Sequence, residues 1–190
     1  VAYDDGDGAF AARLWWLLRS FDHRRVAVLD GGWARWTALG LPVEAPVRVP
    51  VPREVAGAFD PGALLHAADD VQRHVAGGGL LVDARAAPRF RGEVEPIDPR
   101  AGHVPGATNR PYMDNLLDGR FKPPDALARE FGALLDGHPP SALVAMCGSG
   151  VTACHHLLAM AHAGLDGARL YTGSWSGWID DPARPVATGP

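Results

Sequence analysis

Apolar residues along this chain fall into two patterns, short unbroken runs and longer stretches in which they recur every three or four positions. Val26-Ala27-Val28-Leu29, Leu80-Leu81-Val82, Ala142-Leu143-Val144-Ala145-Met146 and Ala168-Arg169-Leu170-Tyr171 are too short for helices and read as strands over about 26–30, 80–83, 142–146 and 168–171. Val1-Ala2-Tyr3-Asp4 reads as a further strand already under way, so an upstream segment is expected to be missing. Helical periodicity predicts an amphipathic helix over about 10–21, with Leu14, Trp15, Leu17 and Leu18 on its apolar side, and further helices over about 33–39, 61–76, 124–136 and 151–163. Pro123-Pro124 and Asp125 mark the start of the fourth of these, while 86–120, rich in Arg, Pro and Gly, reads as irregular. Alternating strands and helices imply an α/β fold, a mostly parallel sheet covered on both faces.

The two ends of the chain resemble each other. Val26-Ala27-Val28-Leu29-Asp30-Gly31-Gly32-Trp33-Ala34-Arg35-Trp36 matches Ala168-Arg169-Leu170-Tyr171-Thr172-Gly173-Ser174-Trp175-Ser176-Gly177-Trp178 in strand, glycine turn and tryptophan pair. Upstream, Val1-Ala2-Tyr3-Asp4 matches Val144-Ala145-Met146-Cys147. Two copies of one fold are implied, with Asp4 in the place of Cys147. Pro42 and the proline-spaced run Pro46-Val47-Arg48-Val49-Pro50-Val51-Pro52 disfavour helix and suit an extended connector. The expected division is 1–45, a linker over 46–60, and 61–190.

Composition narrows the class. The 190 residues carry a net charge of −4, with 47% hydrophobic and 21% charged residues, as in a soluble globular protein. No basic cluster with interleaved aromatics suggests a nucleic-acid partner, and no apolar run approaches the ~20 residues of a membrane span. Of the 18 basic residues only Lys122 is lysine; the arginines matter locally because their planar fork binds carboxylate-like anions. The two cysteines, Cys147 and Cys154, are too few for a disulfide framework and poorly spaced to bridge each other, which points to a reducing, cytoplasmic setting.

Cys147 ends an apolar strand and opens the loop Gly148-Ser149-Gly150-Val151-Thr152-Ala153 before a helix. Such a turn is expected to aim the N–H groups of 148–153 at the sulfur and to add the positive end of the helix dipole, favouring the thiolate that nucleophilic chemistry requires. The end of a strand in an open α/β sheet is also where ligands bind.

With Asp83-Ala84-Arg85, Arg89-Phe90-Arg91-Gly92, Gly102-His103-Val104-Pro105-Gly106-Ala107-Thr108-Asn109 and Gly173-Ser174-Trp175-Ser176-Gly177-Trp178 in order around it, the Cys147 loop resembles the 3-mercaptopyruvate branch of the rhodanese-type sulfurtransferases. The resemblance covers nearly the whole chain. It implies a rhodanese-like parallel sheet flanked by helices, with 1–45 the C-terminal part of an inactive copy and 61–190 the catalytic domain. It implies a sulfane sulfur moved from 3-mercaptopyruvate, through a Cys147 persulfide, to a thiophilic acceptor: cyanide, a small thiol or thioredoxin. Ser149 would relay a proton; Gly148, Gly150, Val151 and Thr152 would contact the donor, with Arg89, Arg91 and Arg100 as candidate partners of its anionic end. Arg89 is preferred by its place in the motif.

Three departures stand out. The first copy holds only its last portion, and the histidine and aspartate that assist the serine in well-known members belong to the absent part. Glu95-Pro96-Ile97-Asp98-Pro99-Arg100 differs in length and order from the version in which a second arginine follows Glu-Pro directly; Arg100 is the substitute candidate, with Asp98 near that position. Thiosulfate-using relatives carry basic residues at the places of Gly148 and Ser149, so this neutral pair favours 3-mercaptopyruvate, with thiosulfate as the alternative donor. A truncated, inactive sulfur-binding module is a second alternative. A cysteine phosphatase needs an arginine where Ala153 stands, and is disfavoured. Asp83 and Arg85 read as a bracing ion pair, His103 as a structural hydrogen-bonder and Cys154 as core; His155, His156 and His162 lack companions for a metal set, and no cofactor is implied.

Overall fold

The computed structural model describes residues 1–45, 49, 51–52 and 57–190, so the connector expected over 46–60 falls mostly outside the described residues. In chain order the elements are α1 (Ala9–Ser20), α2 (Gly32–Ala38), β1 (Leu64–Leu65), α3 (Ala68–Ala76), β2 (Leu80–Asp83), α4 (Ala87–Phe90), β3 (Ala107–Asn109), β4 (Leu116–Leu117), β5 (Arg120–Phe121), α5 (Pro124–Leu135), β6 (Leu143–Met146), α6 (Cys154–His162), β7 (Arg169–Tyr171) and α7 (Ser174–Ile179). Five strands form one sheet in the order β1-β7-β6-β2-β3, every neighbouring pair parallel, and β4 and β5 form a small antiparallel pair.

β6 lies at the centre with all four residues buried. Strand alternation divides it: Leu143 and Ala145 pack with Val82, Leu127, Phe131, Leu157 and Met160 on one face, Val144 and Met146 with Leu81, Tyr171, Trp175 and Trp178 on the other. Both faces are therefore apolar, as a parallel sheet between helices requires.

Several expectations need correction. The helix expected over 61–76 divides into a 3-10 turn (Pro61–Ala63), β1 and α3. Asp60 caps the turn by accepting the Gly62 N–H at 2.8 Å, and Leu64 and Leu65 then pair with Leu170 and Tyr171 at an edge of β7 that would otherwise be open. α6 starts at Cys154 rather than 151, because Val151, Thr152 and Ala153 form a tight turn whose carbonyls accept the N–H groups of Cys154, His155 and His156. α1 buries Ala9, Ala12, Trp16 and Ser20, while Leu14 faces out at 48% exposure. Small alanines let α1 lie close against α6, and Ala12 and Trp16 join the same core cluster as Leu157 and Met160. The stretch 86–120, expected to be irregular, also supplies α4, β3 and β4.

Near the N-terminus, the strands expected over 1–4 and 26–30 amount to one parallel bridge, Ala2 with Val28. Beyond it Asp4 accepts N–H groups from Gly6 at 3.1 Å, Gly8 at 3.0 Å and Ala11 at 2.9 Å. That loop thus closes on an internal carboxylate.

Candidate active site

Cys147 follows β6 directly and is buried, while Ser149, two residues on, is exposed. The chain turns back at Gly150, where φ is +77° and a Cβ would lie 2.9 Å from the Thr172 carbonyl oxygen, so both conformation and space require glycine. Held this way, the Gly150 N–H donates to Cys147 Sγ at 3.1 Å. It is the one such donor among the described residues; the N–H groups of 148, 149 and 151–153, expected to converge as well, make no bond to the sulfur. Val151 and Thr152 serve the turn into α6 instead. The Ser149 hydroxyl has no partner among the described residues and is free to meet a ligand.

The start of α7 clamps the loop from the other side. Ser174 Oγ accepts the Cys147 N–H at 3.1 Å and donates to the Tyr171 carbonyl at 2.9 Å. The Trp175 N–H donates to the Cys147 carbonyl at 3.0 Å, and the Ser176 N–H to the Gly148 carbonyl at 2.9 Å. The Trp33 N–H reaches the Asp4 carbonyl in the same manner, at 2.8 Å. The sequence shows the tryptophan-rich motif, but the parts played by Ser174 and Ser176 were missed. One signal was present: the matching positions near the N-terminus are Gly32 and Ala34, so the serines accompany the cysteine.

A chain of charges runs from the sheet to the loop. Asp83 and Arg85 form the expected ion pair, with Arg85 Nη2 2.7 Å from Asp83 Oδ2 and 2.7 Å from the Gly102 carbonyl, its guanidinium 4.7 Å from the Trp175 ring. Glu95 receives Arg89 Nη2 at 2.6 Å and Nε at 3.2 Å, with Arg85 Nη1 at 3.4 Å. Burial pushes the Glu95 carboxyl up, but hydrogen bonds from Arg89 and from the Asp98 and Ile97 N–H groups outweigh it and hold it below the usual range. Arg89 Nη2 also meets Asp98 Oδ2 at 3.2 Å, and Asp98 Oδ1 lies 2.8 Å from Ser176 Oγ.

Of the three candidate arginines, Arg89 alone borders the loop, its Nη1 3.8 Å from where a Cβ on Gly148 would sit. Arg91 points elsewhere, paired with exposed Glu93 at 2.7 Å and 2.9 Å. Arg100 is spent on the Pro182 and Arg184 carbonyls, both at 3.3 Å. Neither guanidinium contacts the Cys147 loop. His103 stacks on Phe90 and bonds its carbonyl at 2.8 Å, a bracing role.

From the N-terminal segment, Arg13 Nη1 donates to the Gly150 carbonyl at 3.3 Å and lies 3.7 Å from Cys154 Sγ, a contact no local pattern foretold. Burial pushes the Cys154 thiol up to about 12, which makes it inert beside Cys147. A cavity of about 890 Å³ lies elsewhere, lined by residues that include Trp15, Val28, Phe121 and His162, and none of the loop residues borders it. Among the described residues no group of three His, Cys, Asp or Glu side chains could hold a metal, and no helix is long and apolar enough to cross a membrane.

Comparison with known proteins agrees with the fold. Residues 67–181 match the rhodanese-like domain family. A Pseudomonas aeruginosa protein provisionally named 3-mercaptopyruvate sulfurtransferase is 56% identical, over 100% of this chain and 67% of its own length. A Mycobacterium tuberculosis protein provisionally named thiosulfate sulfurtransferase SseB is 41% identical, over 100% of this chain and 66% of its own. The crystal structure of SseA from Escherichia coli, described as a 3-mercaptopyruvate sulfotransferase of rhodanese fold, superposes with a TM-score of 0.74 at 36% identity, covering 91% of this chain and 65% of that one. This chain thus spans about two thirds of the length of the relatives it matches.

Proposed function

The chain belongs to the rhodanese-like domain family, and on that premise we propose that it is a sulfurtransferase that takes sulfur from 3-mercaptopyruvate onto Cys147 and passes it to a thiophilic acceptor. The observation that carries the reading is the sulfur of Cys147 receiving the Gly150 N–H at 3.1 Å inside a loop whose Gly148 side is bordered by the Arg89 guanidinium. In the first half-reaction the Cys147 thiolate attacks the donor sulfur. The carbon–sulfur bond breaks, its electron pair leaves on carbon as the pyruvate enolate, and the sulfur stays as a persulfide. The proton that was on the donor thiol ends on carbon, and the exposed Ser149 hydroxyl is placed to relay it. In the second half-reaction an acceptor, cyanide, a small thiol or thioredoxin, takes the outer sulfur and restores the thiolate.

The reading of 1–45 as part of an inert copy rests on the Asp4 loop, whose N–H groups converge on a carboxylate that cannot do thiol chemistry. Two free cysteines suit a reducing, cytoplasmic setting. Thiosulfate is the alternative donor, favoured by the name of the mycobacterial relative. Intact-mass measurement after exposure to each donor is the test. A gain of one sulfur with release of pyruvate from 3-mercaptopyruvate, lost in Cys147→Ser, is expected. A folded sample that gains no sulfur from either donor refutes the activity, and a gain from thiosulfate with no pyruvate release assigns the other donor.

A further inference from the structure

Arg89 is not an open cation. Along the line Asp83, Arg85, Glu95, Arg89, Asp98, two guanidiniums meet three carboxylates, so the cluster has no positive charge to spare. The two carboxylates on Arg89 are not held equally. Glu95 is fixed by both edges of Arg89, by Arg85 and by the N–H groups of Ile97 at 3.1 Å and Asp98 at 3.2 Å. Asp98 touches Arg89 once, at 3.2 Å, and its other oxygen rests on the hydroxyl of exposed Ser176. The Ser176 N–H donates to the Gly148 carbonyl at 2.9 Å, so Asp98 sits one residue away from the loop that presents Cys147.

We propose that Asp98 is a specificity-determining residue of the donor site: a built-in carboxylate on Arg89 that the anionic end of a donor must displace, and whose charge disfavours a doubly charged donor more than a singly charged one. This rests on the sulfur-transfer reading of Cys147. A donor carboxylate can take the place of Asp98 on the guanidinium one charge for one, while Asp98 turns outward on Ser176. A dianion such as thiosulfate brings a second negative charge to within a few ångströms of that same carboxylate, in a partly buried setting where repulsion is weakly screened.

The test needs no sulfur transfer. Iodoacetate and iodoacetamide both alkylate a cysteine thiolate, one carrying a carboxylate and the other neutral, so the ratio of their rates at Cys147 reads the local preference for an anion. In Asp98→Asn, which keeps an oxygen for Ser176 and removes the charge, the iodoacetate-to-iodoacetamide ratio should rise by about fivefold, and most of that rise should persist in 1 M salt because the carboxylate is largely buried. Asp98→Ala should show the same rise, since charge and not shape is responsible. In steady-state kinetics the KM for thiosulfate should fall by a larger factor than that for 3-mercaptopyruvate. An unchanged or lower alkylation ratio in both variants overturns the inference. If wild-type protein forms no persulfide with either donor, the sulfur-transfer reading fails, and the alkylation ratio still decides whether Asp98 guards Arg89.

Discussion

Ser174 adopts φ +51°, a left-handed conformation that costs an L-residue about 1 kcal/mol or more and is ordinarily left to glycine. Glycine does stand at the matching position near the N-terminus, Gly32, at φ +57°. A Cβ there would meet the Asp4 carbonyl oxygen at 2.6 Å, whereas at 174 the side chain is used: its oxygen accepts the buried Cys147 N–H. Ser174→Ala keeps the strain and orphans that donor, and should destabilise by about 1–3 kcal/mol. Ser174→Gly orphans the same donor but relaxes the backbone. Urea unfolding should therefore rank the glycine variant above the alanine variant by about 1 kcal/mol, the reverse of the usual order; alanine ranking above glycine would remove strain from the account. Cys147 was legible because a strand, a thiol and two glycines are adjacent in sequence. Ser174 was not, because its partner lies 27 residues away and only the fold brings them together.

Among the elements, those that bury whole runs were legible and those that exist by pairing were not. β6 and α5 announce themselves through an unbroken apolar run and a capped periodic stretch. β1 is two residues long and is a strand only because β7 offers it an edge, so propensity alone extended a helix through it. The contact of α1 with the Cys147 loop is of the same non-local kind. Arg13 lies over the Trp16 ring at 4.9 Å, which holds its guanidinium on the Gly150 carbonyl, one peptide from the N–H that reaches the sulfur. It is a positioning residue, acting through Gly150. Arg13→Ala should slow single-turnover persulfide formation by about fivefold, the worth of one hydrogen bond of about 1 kcal/mol, with little change in donor KM. Arg13→Lys should recover only part, since lysine lacks the planar fork. A rise in KM with an unchanged single-turnover rate would instead place Arg13 at the donor.

At the scale of the whole molecule, the N-terminal segment and α6 meet over a buried polar junction that responds to pH. Asn115 Nδ2 donates to His155 Nδ1 and His156 Nδ1, both at 2.9 Å, and the other ring nitrogens donate to the Asp7 and Arg110 carbonyls at 3.2 Å and 2.8 Å. The Tyr112 hydroxyl adds a bond to Asp7 at 2.5 Å. Each ring is thus neutral, one nitrogen accepting and one donating. Burial pushes His155 down to about 4 against the pull of Asp7 and Asp4, and burial with the Arg110 charge pushes His156 down to about 3. In the unfolded chain both titrate near 6.5. Between about 6.5 and these lowered values the unfolded state binds protons that the native state refuses, so stability is full above about pH 6.5 and falls as the pH drops through that window. At pH 5.5 the two rings together should cost about 2–3 kcal/mol relative to pH 8. The loss should appear as a lower urea midpoint, smaller in His156→Gln, which has no proton to take up at that position. A midpoint that stays level from pH 8 to pH 5 in the wild-type chain would show that these rings open to solvent, and with them the junction that seats Asp7 and the rest of the N-terminal segment on α6.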